Sequence, residues 1–266
     1  KDRILIITFT NAAVNDIQNK IELEHIYTID SLCARLCFKH EFFDKDILYL
    51  IEPDDYKYEV YKNLNKIEKD WDYIFVDEVQ DIDYIQYKII KHYNDLDCRL
   101  YLTGDINQNI YSLRGTSNKY ILEYDKYFHG LQKFLLNINY RSSKNIISLL
   151  NEIELKMNTD MSLYSNLYNN ENHCLFKKVD SMKDYVFQIK TIIDENKLPI
   201  KKCCIMSRNN EYINMIYNDF FQIKKYRKMN YTTIHSSKGL EYEYLFLIGL
   251  NDGILPNLKC SDINEE

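Results

Sequence analysis

The stretch WDYIFVDEVQDIDYIQYKII, Trp71 to Ile90, decides the fold. It opens on the apolar and β-branched run YIFV, the pattern of a short buried strand. Two adjacent acids follow, Asp77 and Glu78, and a third, Asp81, stands beyond Gln80. The segment YIQYKIIKHY behind them has helical spacing. A strand that ends in carboxylates and turns into a helix belongs to a parallel α/β sheet, where ligands bind outside the carboxyl ends of the strands. One carboxylate there can hold Mg²⁺, mostly through water. Its neighbour can orient or deprotonate an attacking water, the division of labour that nucleoside triphosphate hydrolysis needs. For a D-E pair alone, a solvated turn remains an equal reading.

The same alternation extends outward in both directions. RILIITFT (Arg3–Thr10) reads as a strand, followed by a helix that Asn11 can cap. HIYTIDSLCARLCFKHEF reads as a brief strand and then a helix from about Asp30, with Leu32, Cys33, Leu36 and Cys37 on one apolar face. CRLYLTGD is a further strand ending in Gly-Asp. KFLLNINYR predicts a strand, and SKNIISLLNEIELK a helix capped by Ser142 or Ser143. Residues 158–172 are Asn-rich and read as loop. CLFKKV and KKCCIMSR predict strands, MKDYVFQIKTIIDEN and NEYINMIYNDFF helices, and YTTIHSS and YEYLFLIGL two more strands. Strands alternating with helices imply mainly parallel sheets covered on both faces.

Composition narrows the class. The chain has 266 residues, 45% of them apolar and 14% aromatic, which suits packed cores and excludes disorder. Its formal net charge is −6, so any nucleic-acid site must be local. The seven cysteines include no C-x-x-C pair and read as reduced core thiols of an intracellular protein. No apolar run approaches a membrane span, and no signal peptide opens the chain. The basic run KKYRK (Lys224–Lys228) reads as a solvated turn, with phosphate binding the lesser alternative.

A second polar cluster stands at the end of another strand, in LTGDINQNIYSLRG (Leu102–Gly115). Gln108 could sense a terminal phosphate through its amide, and Tyr111 offers a flat face on which a base can stack. With this segment the chain resembles superfamily 1 helicases of the UvrD/Rep/PcrA type. YIFVDEVQD resembles motif II of that family and LTGDINQNIYSLRG its motif III. IITFTNAAVNDI resembles motif Ia, YTIDSLCARL motif Ib and NYRSSKNI motif IV. CIMSRNNE is similar to the strand that follows, and TTIHSSKGLEYEYLFLIGLNDGILP to motif V. The segments occur in the family's order and cover nearly the whole chain.

The resemblance implies two RecA-like α/β domains, residues 1–137 and 138–266, with a short helical insertion at about 38–70. ATP and Mg²⁺ would bind in the cleft between the domains and single-stranded or partly duplex DNA would run across both, with 3′ to 5′ movement. By the same resemblance Asp77 would coordinate Mg²⁺, Glu78 activate water, and Gln108 couple the γ-phosphate to motion. Tyr140 would stack on adenine, Arg141 reach the γ-phosphate as an arginine finger and Glu241 touch the ribose, with Gly239 a further position of the nucleotide site. Phe9, Asn11, Thr28, Ser31, Tyr111, His235 and Lys238 are the positions matching DNA contacts. Phe9 also suits a core, Arg141 a surface ion pair, and His235 a buried hydrogen-bonded histidine.

The chain departs from the family pattern in places. It contains no G-x-x-x-x-G-K-[ST], and nothing after GILP resembles motif VI. Both ends therefore read as cut, and the chain as part of a longer helicase. Leu113 stands where an aromatic is usual in motif III, and Asp30 where motif Ib commonly has His. The spacing between motifs leaves room for no large accessory insertion. Two rival expectations stay open: a helicase-derived binding or scaffold protein without ATPase activity, and the helicase part of a helicase–nuclease.

Overall fold

The computed structural model describes residues 3–43, 51–110, 115–156, 162–166 and 174–250. These fall into two compact units, one running through Leu131 and the other from Gln132 to Leu250.

The first unit is built on a four-stranded parallel sheet. Its strands are β1 (Ile4–Thr8), β2 (Ile26–Thr28), β3 (Tyr73–Val76) and β4 (Arg99–Leu102), in the order β2-β1-β3-β4. The helices between them are α1 (Asn11–Lys20), α2 (Ile29–Lys39), α3 (Pro53–Lys62) and α4 (Tyr84–Asp95). Two one-turn helices, α5 (Lys119–Leu122) and α6 (Tyr124–Tyr127), close the unit. Helix α2 buries Leu32, Cys33, Leu36 and Cys37, the face its spacing predicts. With Leu5, Ile7, Ile74, Val76, Ile89 and Ile90 these residues form the core.

Two expectations are corrected here. Helix α1 is capped by Thr10, whose hydroxyl accepts from the Ala13 N–H at 3.1 Å, and Asn11 is its first helical residue. Nor is the sheet covered equally on both faces. Ile74 and Val76 are buried, whereas Phe75 and Tyr101 stack on each other on the opposite face at 37% and 47% exposure. Helix α1, which packs beside β1 and β2, is polar and buries none of its residues, so it adds little apolar cover to the sheet.

Between α2 and β3, within the stretch expected as a short helical insertion, stands α3. Pro53 stands in its first turn, and a capping box joins Glu52 and Asp55. Lys57 ties it to the rest of the unit. Its ammonium lies 2.7 Å from Asp83, the N-cap residue of α4, and 3.1 Å from Asp54, with the side chain only 12% exposed. Lys57→Ala is expected to destabilise the protein by about 1.5–3 kcal/mol, the range for charge-assisted hydrogen bonds. Urea unfolding with an unchanged m-value would show it, and a midpoint equal to wild type would rule it out.

The second unit is organised around β7 (Cys203–Ser207), buried throughout and flanked by β8 (Asn230–Thr233) and β9 (Tyr244–Leu247), all parallel. Helices α8 (Met182–Glu195) and α9 (Asn210–Phe221) pack on it through Val186, Ile189, Ile193, Ile216 and Phe220. A separate parallel pair joins β5 (Ile138–Asn139) to β6 (Tyr164–Ser165), with α7 (Lys144–Lys156) between them. The Ser143 carbonyl receives the first α7 bond, from Ile147, while its buried hydroxyl makes none.

Two predicted strands are corrected in this unit. KFLLNINYR is extended into a ladder only at Ile138–Asn139, and Phe134, Leu135 and Leu136 stand 79%, 63% and 86% exposed. CLFKKV forms no strand, with Leu175 and Phe176 exposed. Apolar content marks a segment for burial, but a strand also needs a neighbour's backbone groups. Conversely, β6 forms within the segment read as loop. The KKYRK run is a short 3₁₀ turn pinned by buried Tyr226, whose hydroxyl donates to Asp194 at 2.8 Å. Cys33, Cys37, Cys98, Cys203 and Cys204 are buried, and burial raises their thiol pKa values, Cys37 to about 12. Cys174 departs from the core-thiol reading because it is exposed, in a segment without regular secondary structure.

Candidate functional site

The polar cluster of the first unit grows from the carboxyl ends of β3 and β4. Parallel pairing continues one residue past each strand: the Asp77 N–H donates to Ile7 O at 3.0 Å and the Thr103 N–H to Val76 O at 2.9 Å. This holds Asp77 at the sheet edge, where its carboxylate accepts from the Thr103 hydroxyl at 2.6 Å. Glu78 then adopts a left-handed conformation, φ 53° and ψ 43°, uncommon for a residue with a side chain. The Val79 N–H donates to Thr103 O at 2.9 Å and closes the turn. The chain thus reverses within one residue, and both Asp77 and Glu78 stay half-buried at the strand end.

Behind the acids, Gln80 is fully buried. Its amide nitrogen donates to the Glu78 carboxylate, and its carbonyl accepts from the Asp105 N–H at 3.0 Å. Gly104 allows this approach. A Cβ at that position would lie 2.6 Å from the Gln80 carbonyl oxygen and 2.9 Å from a Val79 methyl. Asp105 caps the following 3₁₀ turn by accepting from the Asn107 N–H at 2.9 Å, and it accepts from the Gln108 amide at 2.8 Å. The structure therefore brings Asp77, Glu78 and Gln108 to one sheet edge. Thr103, Gly104 and Asp105 belong with them; their signal was the Thr-Gly-Asp sequence at the end of β4, mirroring the acids after β3.

The other predicted residues of this unit lie at the ends of β1 and β2. Phe9 is half-buried against the core, and Asn11 is exposed. Thr28 is nearly buried; its hydroxyl accepts from the Ser31 N–H at 3.1 Å, and the Ser31 hydroxyl donates to Thr28 O at 3.0 Å. Both thereby cap α2. Tyr111, with Leu113, lies outside the described residues.

In the second unit, Asn139 shapes the loop after β5. Its side-chain oxygen accepts from the N–H groups of Arg141 at 2.9 Å and Ser142 at 2.7 Å, an Asx turn that leaves Tyr140 and Arg141 exposed. The Arg141 guanidinium forms an ion pair with Glu241 at 2.8 Å. Gly239, at φ +80° in open space, supplies the turn that leads to Glu241. His235 opens a 3₁₀ turn after β8 and Lys238 ends it, and both are half-buried. The sequence reading missed Arg208 at the end of β7, whose guanidinium lies 2.9 Å from His235 Nδ1. A polar residue directly after a buried apolar strand was the available signal.

Asp77 with the Thr103 hydroxyl suits Mg²⁺, which takes one or two protein oxygens and fills its octahedron with water and phosphate. Among the described residues no group of three His, Cys, Asp or Glu forms a closed metal cage. No helix among them is long and apolar enough to cross a membrane.

Parallel sheets with acids after one strand and a Gly-Asp-x-x-Gln turn after the next are the layout of a RecA-like fold. Comparison with known proteins makes the class specific. Residues 40–129 match the UvrD/REP helicase N-terminal domain and residues 221–266 the UvrD-like helicase C-terminal domain. A probable DNA helicase of Mycoplasma pneumoniae is 28% identical over 196 residues, covering 70% of this chain and 37% of that protein. A putative ATP-dependent DNA helicase of Acanthamoeba polyphaga mimivirus is 25% identical, covering all of this chain and 44% of its own length. The ATP-dependent DNA helicase Rep of Buchnera aphidicola (Schizaphis graminum) is 30% identical over 182 residues, covering 25% of that protein. The chain belongs to the UvrD/Rep family of helicases, and it spans less than half the length of these relatives.

Proposed function

We propose that the gene product is an ATP-dependent DNA helicase that moves along single-stranded DNA from 3′ to 5′. The observation that carries the reading is the convergence of Asp77, Glu78 and Gln108 on one sheet edge through the Thr103 and Asp105 contacts. Asp77, with Thr103 beside it, is the Mg²⁺ ligand; the metal would neutralise phosphate charge. Glu78 orients and deprotonates the water that attacks the γ-phosphorus. Gln108 contacts the γ-phosphate and changes position with nucleotide state. From the second unit, Tyr140 stacks on adenine, Glu241 meets the ribose through the turn at Gly239, and Arg141 stabilises charge developing on the phosphoryl oxygens.

DNA contacts are assigned to Phe9, Asn11, Thr28, Ser31, Tyr111, His235 and Lys238, with Arg208 added because it stands against His235. Its cation can meet a phosphate while His235 is held in place. Aromatic stacking and phosphate contacts read no sequence, as a moving motor requires. The two units each describe a domain of the motor, and α3 belongs to a short insertion in the first.

The test is strand displacement by the purified full gene product on duplexes with a 3′ or a 5′ single-stranded tail. ATP turnover stimulated by single-stranded DNA, with unwinding of the 3′-tailed duplex, is the expected result. Turnover without unwinding would leave a translocase. Absence of both, with DNA binding retained, would establish a binding protein derived from a helicase.

A further inference from the structure

Between the proposed base and the proposed phosphate sensor runs an unbroken chain of hydrogen bonds whose two middle members have had no chemical role so far. Glu78 accepts from the Gln80 amide, Gln80 accepts from the Asp105 N–H at 3.0 Å, and Asp105 accepts from the Gln108 amide at 2.8 Å. We infer that Gln80 and Asp105 are positioning residues that couple the Glu78 carboxylate to Gln108, so that the state of the γ-phosphate sets the aim of the base. The inference rests on the reading of Glu78 as that base.

Three features support coupling over simple scaffolding. First, an ionised carboxylate only accepts and a backbone N–H only donates, so the Gln80 amide satisfies both partners in one orientation alone. A flip would break both contacts at once. Second, Gln80 is fully buried, where a lost partner is costly and two discrete arrangements are favoured over a continuum. Third, the Asp105 main chain and side chain serve different partners. Its N–H holds Gln80, while its carboxylate holds Gln108 and caps the turn through Asn107. A shift of the Gln108 turn must therefore pull on Gln80, and through it on the left-handed Glu78. Gly104 keeps the contact tight, because any side chain there would push the Gln80 carbonyl away.

The experiment compares Gln80→Glu, Gln80→Leu and Gly104→Ala in the full gene product, with DNA-stimulated ATP turnover measured across pH. A glutamate at position 80 can still accept from Asp105 but can donate to Glu78 only when protonated. Gln80→Glu is therefore expected to lose roughly 10- to 100-fold in kcat at neutral pH, the scale for a catalytic group displaced by about 1 Å. It should recover part of that loss relative to wild type as pH falls, with little change in KM. Gln80→Leu should show the loss with no recovery. Gly104→Ala, which displaces the native glutamine, should lower kcat without an acid recovery and without weakening nucleotide binding.

Equal, pH-independent losses in the two Gln80 variants would make the residue a scaffold and overturn the coupling, as would wild-type kcat in all three. If the Gln80 variants do not fold, Gly104→Ala decides alone: reduced kcat with intact nucleotide binding supports the coupling, and wild-type kcat ends it. Glu78→Gln is run alongside. If it stays active, the base assignment falls and the coupling with it. If it is inactive while the Gln80 and Gly104 variants turn over normally, only the coupling falls.

Discussion

Glu78→Gln is expected to abolish ATP turnover, with kcat falling by at least ~10²-fold, the lower end of what a positioned general base contributes. Nucleotide and DNA binding should persist. The substitution is nearly isosteric and keeps an acceptor oxygen for the Gln80 amide, so the turn after β3 should hold its shape. What it removes is the basic carboxylate. The proton of the attacking water then loses the carboxylate assigned to accept it, and Asp77 is engaged by the Thr103 hydroxyl and, by the assignment above, the metal. Single-turnover hydrolysis beside equilibrium binding of a fluorescent ATP analogue would check it. Turnover within a few-fold of wild type would remove Glu78 from the mechanism.

Arg141→Ala should have the other large effect, a loss of about 10³–10⁵ in kcat, the range found for arginine fingers in phosphoryl transfer. The local structure already presents this side chain. The Asx turn made by Asn139 fixes the backbone of Arg141, and its guanidinium rests on Glu241, a residue likewise exposed. An ion pair between exposed partners is weak, so phosphate can displace it. Arg141→Lys should rescue poorly, because an ammonium lacks the planar fork that holds two oxygens together. Nucleotide affinity should change far less than kcat, since the finger acts on charge that develops in the transition state. A KM effect with unchanged kcat would instead make Arg141 a ground-state binding residue.

Much of the first unit was legible in the linear pattern. The YIFV strand, the helix behind it and the apolar face of α2 follow from periodicity, because each buries a stripe that its own sequence defines. The acids after β3 and Gln108 were legible as polar clusters at two strand ends, because each follows an apolar strand directly in the chain. Thr10 as the cap of α1 was one residue from the expected position, a distance at which capping chemistry among Thr and Asn does not discriminate. The strand expected over KFLLNINYR was less legible, because pairing depends on which backbone is near and not on composition.

What the sequence determined by itself was the family, the alternation of strand and helix, and the acids, amide and arginine that carry the proposed chemistry. These are local properties: side-chain type, spacing and order along the chain. What only the tertiary structure decided was which of those residues meet. Gln80 had no assigned partner until the fold buried it against Asp105, and Arg208 was unmarked until β7 and β8 paired and set it beside His235. Such contacts join residues more than twenty positions apart. Strand register and close packing at Gly104 set them, and neither can be read from the chain alone.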